Sequence, residues 1–162
     1  MHIKRGFAVA LSGALLVANS APVSGAAQLR FAIAIAAPTY ATGHAIPLRL
    51  TLANASAPVR VNTRLAVNDA HEPAAFREVT FAIRKPSGRQ AAFRVDIKIG
   101  AAPAAKLVLL PAGGTVSKTI DLARYYTLDE HGAYEVRATY ASAAPNTLPG
   151  PIGSNMVRFT LH

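Results

Sequence analysis

Cysteine is absent from all 162 residues, which removes disulfides, thiol nucleophiles and a lipid-modified N-terminal cysteine from consideration. Acidic residues are few, 8 against 17 Lys and Arg. Long apolar runs are scarce as well. The clearest, Phe7 to Ala18, is about 12 residues, short of the ~20 needed to cross a bilayer. It follows Lys4 and Arg5 and precedes small residues through Ala27, the three-part layout of a secretory signal peptide. Residues 1–27 are therefore expected to be removed, with cleavage after Ala26 (Ser24 at the −3 position) or after Ala27 (Gly25 there). The mature chain is expected in the periplasm or the medium, with no transmembrane segment.

Catalytic and metal-binding patterns are missing too. His71-Glu72 begins like a zinc-protease helix, but Ala75 stands where the second histidine belongs and Pro73 would break the helix. His44, His71, His131 and His162 are scattered through loops and the C-terminus. There is no Gly-x-Ser-x-Gly elbow, and Ser56, Ser87 and Ser117 fall in turns or strands. The carboxylate pairs Asp69/Glu72 and Asp129/Glu130 fall in loops, where solvation is the default. The expectation is a non-enzyme without metal or cofactor. Without Lys4 and Arg5 the chain keeps 15 basic and 8 acidic residues, a net charge of +7. These charges are spread along the polar phase of the strands, as in a solvated basic face. Their sign also suits an anionic envelope surface or an acidic protein. No nucleic-acid motif or aromatic-basic stacking platform accompanies them.

What is present is period-two alternation from Leu29 to the end, the mark of half-buried strands. Leu29, Phe31, Ile33 and Ile35 share a face, and so do Ile46, Leu48, Leu50 and Leu52, with Pro47 at a strand start or edge. A short strand covers 59–64 and a long loop 65–75. Val79, Phe81 and Ile83 lead through Pro86-Ser-Gly88 into Ala91, Phe93, Val95, Ile97 and Ile99, read as a hairpin. Leu107 to Leu110 turns at Pro111-Ala-Gly-Gly114 into 115–122. Asp121 is placed to cap the corner containing Tyr125 and Tyr126. Then follow Tyr134, Val136, Ala138 and Tyr140, a Pro-rich loop 141–153, and a last strand with Val157, Phe159 and Leu161. About 135 residues of this kind make one all-β domain, 28–162, an immunoglobulin-like antiparallel sandwich of about eight strands. Glu130-x-Gly132-x-Tyr134-x-Val136 follows the immunoglobulin F-strand pattern with Glu for Asp and Val for Cys, and the tyrosine is expected to bond back to backbone at the corner. Phe93, Ile120, Tyr134 and Val136 are expected to face inward.

Leu110-Pro-Ala-Gly-Gly-Thr-Val-Ser-Lys-Thr-Ile-Asp-Leu-Ala-Arg-Tyr-Tyr126 with Gly132-Ala-Tyr-Glu-Val136 resembles the N-terminal β-sandwich propeptide domain of deuterolysin-like peptidyl-Lys metalloendopeptidases. The likeness is close over about 35 residues and diffuse elsewhere. Such enzymes continue into a zinc domain with His-Glu-x-x-His, which this sequence lacks. The resemblance therefore implies a freestanding, non-catalytic module that binds or inhibits an exported metallopeptidase in trans. A structural or adhesive envelope module is the alternative. If each strand reverses direction, connections 37–44, 65–77, 100–106 and 123–132 gather at one end, and 54–58, 86–88 and 111–114 at the other. The first end then collects Tyr40, His44, Asp69, His71, Glu72, Arg124, Tyr125 and His131 as the candidate partner site, with loop 141–153 as a rival at the other end.

Overall fold

Alternating side chains sort this chain into two facing, mainly antiparallel sheets in a computed structural model that describes residues 28–69, 78–94, 105–141 and 150–162. The strands are β1 (Leu29–Ile35), β2 (Thr39–Tyr40), β3 (Pro47–Asn54), β4 (Val59–Asn62), β5 (Val79–Arg84), β6 (Leu107–Leu110), β7 (Thr115–Asp121), β8 (Gly132–Tyr140), β9 (Ile152–Gly153) and β10 (Val157–Leu161). A single 3-10 turn, Leu122–Arg124, is the helical element among the described residues. One sheet has the order β1-β3-β7. The other runs β2-β10-β8-β5, with β2 parallel to β10 and β9 on the far part of β8, and β4 and β6 form a separate ribbon. The all-β expectation holds. β2 and β9, two residues each, are too short to carry a periodic signal.

The core follows the pattern. Leu48, Leu50 and Leu52 on the central strand β3 are fully buried, as are Tyr134, Val136 and Tyr140 on the central strand β8. Tyr134 stacks on Phe159 at 5.1 Å, and Phe31 packs against Tyr140 across the sandwich at 5.7 Å. Burying each such side chain is worth about 1.5–3 kcal/mol, so these inward phases hold the sheets together. Pro47 begins β3 opposite Asp121, where its missing N–H does least harm.

Polar side chains close the open sides of the sandwich. At one side, the Asn155 side chain accepts from the Ile33 N–H (2.9 Å) and donates to the Ile33 carbonyl (3.0 Å), standing in for a neighbouring strand. At the other, residues 63–69 cross from the free edge of β7 to that of β5. The Lys118 ammonium donates to the carbonyls of Arg64 and Leu65, both at 3.0 Å. Val67 then pairs in parallel with Val79. Glu78, 1% exposed, is ion-paired to Arg64 and accepts the Ala66 N–H at 3.0 Å. Burial holds the Lys118 pKa below its ordinary value, the Glu78 charge opposes that, and Arg64 adds to it. Leu65 sits in this crossing at φ +45° with a fully buried side chain, a left-handed backbone that tight surroundings must impose. The long loop expected over 65–75 is thus corrected at its start: Leu65 and Val67 are core. Residues 70–75, including His71 and Glu72, lie outside the described residues.

Two further expectations change. The Pro86-Ser-Gly88 turn forms, but its return arm stays with β5 only as far as Ala91, whose N–H donates to Ile83. Arg94 and Thr127 then exchange backbone bonds with Tyr125 and Ala92, and Phe93 pairs with Tyr126. Phe93 is consequently half-buried rather than a core residue, whereas Ile120, Tyr134 and Val136 are buried as expected. Val95, Ile97 and Ile99 lie outside the described residues. The turn itself is at the same end as 123–132, not the opposite one. Ser87 donates its N–H and its hydroxyl to the Glu130 carboxylate, each at 3.0 Å. The reason is registry: the end of β5 lies opposite Glu135, near the start of β8. Gly132, at φ +123°, opens β8 where an added Cβ would lie 3.1 Å from Pro86, which accounts for glycine in the Gly-x-Tyr pattern.

The expected corner is present. The Tyr134 hydroxyl donates to the Glu130 carbonyl (2.9 Å) and accepts the Glu130 N–H (2.8 Å). Tyr134→Phe should keep the ring stack but lower stability by about 1–2 kcal/mol, since two backbone groups lose their partner. Val136→Asp should unfold the domain, because an unpaired buried charge costs about 3–5 kcal/mol against a total of about 5–15 kcal/mol. Thermal melts distinguish these outcomes, and wild-type-like melting of Val136→Asp would show the register to be wrong.

The bonds from Ser87, joined by the Arg89 guanidinium at 3.0 Å, pull the Glu130 pKa down to about 2. A carboxyl whose folded pKa is depressed stabilises the fold above its unfolded value and loses that contribution as pH falls through the folded one. This contribution should therefore fade between pH 4.5 and about 2. An NMR titration should find the Glu130 carboxyl titrating well below the other glutamates, and Ser87→Ala should raise its midpoint.

Candidate ligand cleft at the corner end

Where β7 ends, Asp121 organises the backbone. Its Oδ1 accepts the Ala123 N–H (3.1 Å), capping the 3-10 turn, and the Ile46 N–H (2.9 Å) from the approach to β3. The sequence places a cap here because an extended Asp before a turn can reach back to free N–H groups. The turn projects Arg124 outward and places Tyr125 against Phe93 (6.4 Å, stacked) and Tyr126 under it (5.2 Å, edge-on). The arm 92–94 lies across this corner.

Between the arm, the corner and the 43–46 loop lies a cleft of about 240 Å³. Ile46, Tyr126 and Leu161, all nearly fully buried, form its floor, and Leu128 lines one wall. His44, Arg94 and Arg124, all exposed, stand at its rim. One Arg94 nitrogen donates to the Ala123 carbonyl at 3.3 Å, holding the side chain over the opening. Burial pushes the Tyr126 phenol up to about 12, with the Asp69 charge adding and a hydrogen bond with the Phe81 backbone opposing. The floor therefore stays neutral. Such a cleft, apolar below and cationic above, suits an anionic group carried on an aliphatic one.

Of the candidate partner residues, His44 and Arg124 line this cleft. Tyr125 lies beside it. Tyr40 is on the same end but structural: its hydroxyl accepts the Ala37 N–H at 2.8 Å and its ring meets Phe159 at 6.0 Å. His131 is exposed next to the start of β8. Asp69 is not in the loop cluster; it follows the stretch paired beside β5, where its charge acts on Tyr126. His71 and Glu72 lie outside the described residues. Arg94, Tyr126, Leu128 and Leu161 were not foreseen. By alternation Arg94 belongs to a hairpin arm, and no local pattern signals that the arm leaves β5. Of the rival loop 141–153, residues 150–153 and Ala141 are described, at the far end where β9 pairs with Thr139 and Tyr140.

Among the described residues no three His, Asp or Glu side chains converge as for a metal ion, and no helix is long and apolar enough to cross a membrane. In comparisons with known proteins, no family model matches the chain and no curated protein is similar to it.

Asp121→Ala should lower stability by about 1–2 kcal/mol through the lost cap and the stranded Ile46 N–H. Phe93→Ala, at a half-buried position, should cost a similar amount rather than the 3–5 kcal/mol of a full core truncation. Denaturant titration of both variants checks this, and a loss above about 4 kcal/mol for Phe93→Ala would place that ring in the core after all.

Proposed function

We propose that this chain is a non-catalytic exported binding module that engages a protein partner through the corner end. The observation that carries the reading is the cleft rimmed by Arg94, Arg124 and His44, built from separate loop segments on a rigid sandwich, the usual setting for recognition. Export rests on the signal-like residues 1–27. The likeness of Leu110–Tyr126 and Gly132–Val136 to a metalloendopeptidase propeptide supports an exported peptidase as the partner, bound or inhibited by this module. Fold alone does not select that partner.

A second reading, an adhesive or structural envelope module, draws on the outer face of the β1-β3-β7 sheet. There Ala32, Ala34, Thr51, Ala53, Ser117 and Thr119 give low relief around Arg30 and Arg49, a shape fit for contact with an extended polymer or surface. The two readings separate by mutation. Wild-type mature domain, an Arg94→Gln/Arg124→Gln variant and an Arg30→Glu/Arg49→Glu variant are used to capture proteins from periplasm and medium. Each is also added to the captured peptidase during hydrolysis of a protein substrate. The corner reading expects the first variant alone to lose capture and to leave hydrolysis unslowed. Loss confined to the second variant, with retention on cell-envelope material, would replace it with the adhesive reading.

A further inference from the structure

We propose that the corner cleft binds a carboxylate carried on a short aliphatic stem of a polypeptide, either its free C-terminal residue or an acidic side chain. The assignment rests on the foregoing reading only in taking the partner to be a polypeptide.

Charge pairing points to it first. Arg64, Lys85, Arg89 and Arg158 each have a carboxylate partner. Arg94 and Arg124 have none among the described residues, and both line the concavity. The carboxylate in the cleft, Asp121, directs its Oδ1 to the N–H groups of Ile46 and Ala123, so it belongs to the wall. Arg94 bonds one backbone carbonyl through one nitrogen, and a guanidinium has five N–H donors. Charge-assisted bonds from two arginines are the strong kind.

Shape selects the stem. A bare inorganic anion would occupy the rim and leave the accessible Ala45, Ala123 and Leu128 uncovered, whereas a methylene or small branched side chain would cover them and remove apolar surface from water. At about 240 Å³ the cleft is smaller than the ~300–1,000 Å³ of pockets for drug-sized ligands, so it takes one residue, not an extended segment. The neutral Tyr126 places no negative charge against the incoming carboxylate.

The purified mature domain is titrated with three probes, acetyl-Ala-Ala-Val with a free carboxylate, the same peptide as its C-terminal amide, and acetyl-Ala-Glu-Ala-amide. Calorimetry is combined with the amide NMR signals of His44, Ala123 and Tyr126. At least one acidic probe should bind about tenfold more tightly than the neutral amide, a difference of about 1.4 kcal/mol, and which one does so identifies the source of the carboxylate. Arg94→Gln and Arg124→Gln should each remove most of that preference, Arg94→Lys should retain part of it, and Arg137→Gln on the outer face of β8 should leave it intact. Melting curves confirm that the variants fold. Equal binding of acidic and neutral probes, no binding by any of them, or an acid preference that survives both glutamine substitutions would overturn the assignment. Peptide binding without loss of partner capture in the double variant would instead overturn the partner site proposed above. Capture lost with no peptide bound would overturn the cleft assignment alone.

Discussion

The interaction that ties the corner end to the core is the pair of hydrogen bonds between the Tyr134 hydroxyl and the backbone of Glu130. Tyr134 is buried at the centre of the β2-β10-β8-β5 sheet, so its position is set by the core. Through it, the core dictates where residue 130 lies. Glu130 then holds Ser87 and Arg89, and Asp129 next to it receives Lys85 at 2.6 Å. A loop that would otherwise be free is tied at both its corner and the neighbouring turn. Asp121 does the same from the other sheet, binding Ile46 and the 3-10 turn. The cleft lies at the second of these corners, where Asp121 fixes both the turn that carries Arg124 and the 43–46 side of the opening.

The buried polar residues follow one logic. Asn54, Asn62 and Glu78 are nearly unexposed, and each satisfies backbone groups of segments outside the two ladders. Asn54 donates to the carbonyls of Ala57, Leu110 and Pro111, and Asn62 accepts from the N–H groups of Arg64 and Lys106. The Tyr140 hydroxyl exchanges bonds with the backbone of Asn62 at 3.1 and 3.2 Å. A buried carbonyl or N–H left unpaired costs about 1–3 kcal/mol. These side chains therefore fix the path of β4, β6 and the crossing to β5 without requiring long ladders. In a cysteine-free chain they connect loops to the core where disulfides could otherwise serve.

What was legible in the sequence is what depends on period two and on fixed local offsets. The inward phases of β1, β3, β5, β8 and β10, the Gly132/Tyr134 corner and the Asp121 cap all involve residues a few positions apart, each with one physical job. The crossing at 63–69 was hidden because its apolar members, Leu65 and Val67, sit among polar and turn-forming neighbours and pair in parallel with a strand edge. The cleft was half legible for a similar reason. His44 and Arg124 lie in loops whose end follows from strand direction, while Arg94 arrives by a departure from β5 that depends on Tyr126 offering a better partner than continued pairing. Phe93 gains two aromatic contacts by that departure, and the sequence around it carries no sign of them.

Charge placement then separates the decorative from the committed basic residues. On the outer face of β8, Arg158 and Glu135 neutralise each other across strands at 2.7 Å, a solvent-exposed pair of the kind worth less than about 1 kcal/mol. Inside the crossing, Arg64 balances Glu78, and at the turn Lys85 and Arg89 balance Asp129 and Glu130. With acids so few, four of the eight, Glu78, Asp121, Asp129 and Glu130, are consumed in holding loops. The cations left without them could have been dispersed over convex surface, where water screens them at little consequence. Two, Arg94 and Arg124, instead border a concavity with an apolar floor, where both can face one incoming anion. Concave placement, rather than the net charge, is what sets these two arginines apart.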